Sequence, residues 1–161
     1  MSMKPKIKWK PLLLALALPL AVGGFSAFLT RDGMRAFASL RQPPMSPPAW
    51  LFPVVWTLLY LSMGLASYLV WVSDVSDRRR DRALTVYGLS LAANFLWPIL
   101  FFTVQAWLAA FLLLLLLWAL VGIAALLFGA ITPRAGKLLL PYLAWLTFAA
   151  YLNLGVWLLN R

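Results

Sequence analysis

From Pro47 to Trp71 the chain runs for 25 residues without a charge: PPAWLFPVVWTLLYLSMGLASYLVW. At about 1.5 Å per residue a helix of this run reaches roughly 37 Å. That exceeds the ~30 Å hydrocarbon core of a bilayer. Pro47 and Pro48 are placed to open a helix, where a missing N–H costs nothing. Trp50 and Trp71 stand near the two ends, where indole rings favour the membrane interface. Pro53, Trp56, Tyr60, Gly64 and Ser67 recur three or four apart and share one face. A face turned only to lipid would carry Leu, Ile and Val. This one carries an indole, a phenol and small residues.

Four further apolar runs follow the same logic. With helices at about 11–29, 47–72, 83–103, 107–130 and 138–159, the chain is expected to be all-α. It reads as a polytopic membrane protein, a bundle of five transmembrane helices in a single domain over 1–161. Hydrophobic residues make up 64% of the chain, which a soluble core does not require. The first run follows Lys4, Lys6, Lys8 and Lys10, a pattern shared with signal peptides. Its length, and the stripe Ala15, Pro19, Gly23 and Ala27, favour an uncleaved packing helix.

In the third run Gly88 and Ala92 form a pair of small residues four apart, suited to close helix contact. Asn94, Trp97 and Phe101 share a face. An amide at that depth needs a partner, and Pro98 is expected to kink the helix beside it. The fourth run, with FLLLLLLW, suits lipid contact. On the fifth, Trp145, Phe148, Ala149, Leu152 and Asn153 lie on one side. Trp50, Trp71 and Trp107 read as interface anchors. The 73–82 stretch reads as a solvated turn. The 30–46 connection is either a lid, folded back through Phe37 and Leu40, or a passive connector.

The net charge of +10 would suggest nucleic acid in a soluble protein. Here the basic residues flank apolar runs, so lipid headgroups and topology explain them and no nucleic-acid partner is expected. With five spans, Lys4, Lys6, Lys8, Lys10, Arg78, Arg79, Arg80, Arg82, Arg134 and Lys137 fall on one side. Arg31, Arg35, Arg41 and Arg161 fall on the other. The positive-inside rule then places the N-terminus in the cytoplasm. The chain has no His and no Cys, and Asp32, Asp74, Asp77 and Asp81 all lie outside the apolar runs. No hydrolytic triad, metal site or carboxylate pair can be assembled from this set. No cofactor is expected. An ion-coupled pump is a poor fit, because no ionisable acid or base lies within a span.

The second run, then NFLWPILFF (Asn94–Phe102) and PYLAWLTFAAYLN (Pro141–Asn153), resembles the translocator protein family. Its members are also called tryptophan-rich sensory proteins or peripheral-type benzodiazepine receptors, and the chain looks like a bacterial member. The resemblance implies a five-helix bundle in the bacterial cell membrane, usually a homodimer, surrounded by membrane lipid. It implies a binding protein or translocator for tetrapyrroles such as protoporphyrin IX, and for sterols and benzodiazepine-type drugs. Alternatives within the resemblance are a light-dependent porphyrin-degrading enzyme, using Trp56 and Trp145, and a ligand-sensing regulatory protein. The ligand pocket implied by motif is lined by Phe37, Phe52, Trp56, Tyr60, Asn94, Trp97, Trp145, Phe148, Ala149 and Leu152. Tyr60 and Asn94 would be its polar anchors, and Arg35 or Arg41 would meet a ligand carboxylate at the mouth. The family's first loop usually carries a Trp-Tyr pair, where this chain has Ala36–Phe37. Leu154 and Leu158 replace the Tyr and basic residue of the animal sterol pattern.

Overall fold

A computed structural model describes residues 6–161. Lys4, part of the expected basic tail, lies outside the described residues. The architecture is all-helical. Its elements are α1 (Trp9–Phe37), α2 (Leu51–Trp71), α3 (Asp77–Pro98), a π-helical turn (Ile99–Thr103), α4 (Trp107–Ile131), α5 (Pro133–Leu138) and α6 (Leu140–Asn160). Five helical segments are long and apolar enough to cross a membrane, the last being α5 and α6 together. The protein is an integral membrane protein.

Helix ends depart from the sequence expectation where charges were read as boundaries. α1 does not stop near Leu29 but continues for two turns, so part of the expected 30–46 connection is helix. Arg31, Asp32 and Arg35 stay exposed on this extension, which leaves its other side free to pack. There Gly33 lies against the Phe102 backbone, and the Phe37 ring sits 5.5 Å from Phe101 and 5.4 Å from Phe102. α3 likewise begins inside the stretch read as a solvated turn. Asp77 occupies its first turn, where a carboxylate complements the helix dipole. The Arg80 guanidinium spans back to Asp77 at 2.8 Å. It also donates to the Ser73 and Val75 carbonyls, fixing the short connection. α2 starts at Leu51 rather than at the two prolines. The 131–137 loop is mostly helical, since Pro133 opens α5 directly after an extended Thr132.

At Pro98, where a kink is expected, the helix changes type. The proline lacks the N–H that would close a bond to Asn94. The backbone beyond it widens into a π-helical turn closed by Val104 N–H on the Ile99 carbonyl at 2.9 Å. Such turns break α-helical register and often mark functional sites. The chain then reverses through Gln105, at φ 58°.

In the bundle α1 packs against α2 and α3, α3 against α4, and α4 against α6, while α5 returns to α2. α2 and α6 make no extended close contact among the described residues. The core runs through Met63, Ala66, Val70, Ala83, Leu114, Leu117, Val121, Phe128, Tyr142 and Leu146. A second cluster, Phe101, Ala110 and Val156, packs with Phe37, Leu40 and Trp107. Trp107 is therefore half-buried in packing rather than a free interface anchor. Trp50 and Trp71 are exposed, as expected of residues near span ends.

The ends of the bundle differ. At one end the Lys8 N–H donates to the Tyr68 hydroxyl at 3.0 Å, and Arg79 donates to the Ala130 carbonyl at 3.0 Å. Lys6, Lys8, Lys10, Arg78, Arg79, Arg80, Arg82, Arg134 and Lys137 all flank this end. At the other end residues 38–50 form a strap across the helix tips.

Candidate functional site

Beneath the strap lies a cavity of about 630 Å³. That falls in the range of roughly 300–1,000 Å³ typical of small-molecule sites. α2 supplies Phe52, Trp56 and Tyr60, one helical stripe, with Thr57 beside it. α3 and the π-helical turn supply Asn94, Trp97, Phe101 and Phe102. α6 supplies Trp145, Ala149, Leu152, Asn153 and Val156. Phe37 closes the wall at the end of α1.

Of the residues named from sequence, Phe37, Phe52, Trp56, Tyr60, Asn94, Trp97, Trp145, Ala149 and Leu152 line this one space. Phe148 does not. It stands on the outer side of α6, in a shallow lipid-facing groove with Val55, Leu58, Leu59, Pro141, Ala144 and Trp145. Trp145 alone borders both spaces. Neither Arg35 nor Arg41 lines the cavity. Arg35 is exposed, 3.7 Å from Asp32. The Arg41 backbone is held by Asn160. The mouth is polar but uncharged, with Gln42 and Ser46.

One cavity wall was not visible in the sequence. Leu20, Gly23, Ser26, Thr30 and Met34 of α1 line it at helical spacing. The small-residue stripe seen there is turned inward: a Cβ on Gly23 would lie 2.1 Å from the Tyr60 ring. Gly23 is thus what lets Tyr60 lie flat against α1. Ser26 donates to the Phe95 carbonyl at 3.1 Å and ties α1 to α3 just before Pro98.

Asn94 is 3% exposed, and its partners are explicit. Tyr60 donates to Asn94 Oδ1 at 3.0 Å, and Asn94 Nδ2 donates to the Tyr142 hydroxyl. One amide therefore joins α2, α3 and α6 at the cavity wall. A second amide works the same way. Trp97 Nε1 donates to Asn153 Oδ1 at 3.0 Å, and Asn153 Nδ2 donates to the Trp107 carbonyl at 2.8 Å. Asn153 thereby fixes the Trp97 indole and the chain reversal after the π-helical turn. Its signal in the sequence was a lone amide on the packed side of the fifth span.

The aromatic rings form a connected lining. Trp56 stacks on Tyr60 at 5.5 Å and meets Tyr142 edge-on at 6.0 Å. Trp97 stacks on Phe101 at 5.0 Å. Phe52 meets Trp145 edge-on at 5.9 Å. Trp145 Nε1 is buried and finds no hydrogen-bond partner among the described residues. No acid or base lines the cavity, and no three His, Cys, Asp or Glu side chains gather among the described residues. The site can bury and stack a flat apolar body. Its lining offers no ordinary proton donor–acceptor pair for catalysis and no ligand set for a metal.

The family model described as TspO/MBR family matches residues 15–158. A translocator protein of Ovis aries is 38% identical over 143 residues, covering 86% of this chain and 84% of its own length. A tryptophan-rich protein TspO of Chlorobaculum tepidum is 35% identical over 150 residues, 92% of this chain and 95% of its own. A translocator protein homolog of Schizosaccharomyces pombe is 40% identical over 148 residues, 89% and 88% of the two chains.

Proposed function

The chain belongs to the TspO/MBR family of membrane translocators, and on that premise we propose that it binds tetrapyrroles such as protoporphyrin IX, and similar flat apolar ligands, in the aromatic cavity. One observation carries this reading: Trp56, Trp97 and Trp145, from three different helices, line a single space. Apolar burial and ring stacking supply the affinity. Polar groups set the orientation. Because Tyr60, Asn94 and Tyr142 already satisfy one another and the Ser46 hydroxyl donates to the Pro43 carbonyl, the free polar groups include the Trp145 indole N–H and the Gln42 amide at the mouth. Sterols and benzodiazepine-type compounds share the required apolar ring chemistry.

The protein sits in the bacterial cell membrane with its N-terminus in the cytoplasm. The nine basic residues at the N-terminal end of the bundle support that orientation, and the cavity then opens outward. It assembles as a homodimer through α3. There Gly88 and Ala92 are exposed, and a Cβ built on Gly88 meets nothing within 4 Å.

Titration of purified protein with protoporphyrin IX, followed by quenching of tryptophan fluorescence, tests the reading. Saturable quenching with an unchanged pigment spectrum is expected in the dark. New absorbing products appearing only under light would assign degradation instead, with Trp56 and Trp145 as electron donors to the excited ring. Absence of saturable quenching would remove the cavity as a porphyrin site.

A further inference from the structure

We propose that the seam between α2 and α6 is a lateral portal through which ring ligands pass between the bilayer and the cavity, with the Trp145 side chain as its gate. This rests on the reading of the cavity as a ring-ligand site.

Around the bundle, neighbouring spans meet along close helix–helix contacts, except at this seam. Both ends of the seam are clasped. At one end Ser62 donates to the Leu138 carbonyl at 2.6 Å, where α5 gives way to α6. At the other the strap is held to α6, with the Tyr151 hydroxyl donating to the Pro44 carbonyl at 2.8 Å. Between the clasps the seam is closed by side chains, not by backbone. Phe52 and Trp145 meet there edge-on, and Trp145 is the wall shared by the cavity and the lipid-facing groove.

The hydrogen bonding leaves the same residue free to turn. The Trp97 indole is anchored to Asn153, so turning it would break a bond. The Trp145 indole N–H is buried without a partner among the described residues. Turning its ring sacrifices no hydrogen bond and lets the N–H reach a ligand, water or lipid acceptor. An unsatisfied buried donor favours the conformation that relieves it. The groove outside is apolar and lipid-facing, lined by Leu58, Ala144 and Phe148. A flat apolar ligand dissolved in the bilayer would reach Trp145 without crossing water.

The test measures rates in lipid nanodiscs by stopped-flow quenching with protoporphyrin IX. Ala144→Trp and Leu58→Trp each plug the groove from an exposed position on opposite rims, so a folding defect in one leaves the other usable. Each should slow association and dissociation alike, by roughly tenfold or an added barrier of ~1.4 kcal/mol, with equilibrium affinity unchanged. The chain has no Cys, so Arg41→Cys with Asn160→Cys can lock the strap by oxidation. That lock should leave both rates unchanged. Normal binding with unaltered rates in both plugged variants, or greater slowing by the strap lock than by either plug, overturns the portal alone. No saturable binding by the unmodified protein overturns the cavity reading and the portal with it.

Discussion

Tyr60 donates its hydroxyl hydrogen to Asn94 Oδ1 across 3.0 Å, joining residues 34 apart on two different membrane spans. Asn94 passes the link on to Tyr142 through its own N–H. Three helices thus meet at one amide that is shielded from water. Replacing the amide strands the buried Tyr142 hydroxyl and the half-buried Tyr60 hydroxyl at once. Asn94→Ala should therefore lower stability, by about 0.5–2 kcal/mol, since interhelical hydrogen bonds in membranes carry modest energies. Asn94→Asp, which keeps an acceptor for Tyr60, should lose less provided the acid stays protonated. Thermal unfolding of the purified variants in one detergent checks both. A melting temperature for Asn94→Ala at or above that of the parent protein would remove the network as a source of stability.

The cavity tryptophans give a second prediction, sharpened by a residue that faces away. Trp56→Ala and Trp145→Ala should each weaken protoporphyrin IX binding by about 2 kcal/mol, roughly thirtyfold, by analogy with enclosed hot-spot aromatics. Phe148→Ala, on the outer side of α6, should leave equilibrium affinity within about twofold, a change under ~0.5 kcal/mol. Equal affinities for all three variants and the parent would leave those aromatics as packing alone.

The contrast between Trp145 and Phe148 also marks how far the sequence could be read. Period and composition placed Trp56 and Tyr60 on one stripe of α2, because a charge-free span leaves helical spacing as its only pattern, while Phe52 came only from the family resemblance. They could not say where the edge of a stripe falls. Phe148 is three residues from Trp145 and adjacent to Ala149, and only the position of the neighbouring helix decides its side. The need of Asn94 for a partner was legible, but not the identity of Tyr60 and Tyr142, which come from other spans. The α1 wall was hidden for a similar reason. Gly23 advertises a close approach without naming what approaches. Helix ends were misplaced where charge served as a boundary marker: Arg31, Asp32 and Arg35 are tolerated on the exposed side of a helix that packs on its other side.

Gly23 supports a third prediction. A methyl group there would stand 2.1 Å from the Tyr60 ring. That ring cannot simply swing aside, since its hydroxyl is committed to Asn94 and its face to Trp56. Gly23→Ala should destabilise by about 1–3 kcal/mol, the usual range for overpacking a filled site. Gly24→Ala, one position on and open to space, should be neutral or slightly stabilising, as Ala favours helix over Gly. Paired melting curves separate the two. Equal melting temperatures would mean that Tyr60 relocates without cost.

The strap supplies the last prediction. The Asn160 side chain accepts from the Arg41 N–H at 3.0 Å and donates to the Arg41 carbonyl at 2.8 Å, engaging both polar groups of one backbone residue. Pro43 is buried against Gly155, where an added Cβ would lie 2.6 Å from the proline ring. Tyr151 holds the Pro44 carbonyl from the same helix. All three contacts attach the strap to α6, so weakening them should free residues 38–50 without unfolding the bundle. The Asn160 pair is exposed, and each of its bonds is worth about 0.5–1.5 kcal/mol. Asn160→Ala removes both and should thus raise the open population by roughly fivefold or more (about 1 kcal/mol at the low end), while Gly155→Val, which displaces Pro43 directly, should do more. Arg41 offers a trypsin site within the strap, and cleavage there should quicken in that order when opening precedes cutting. Helical circular dichroism should stay at the parent level in both variants. Cleavage at Arg41 no faster than in the parent protein would mean that the strap is held by its apolar contacts, through Leu40 and the cavity wall, and not by the polar latch on α6.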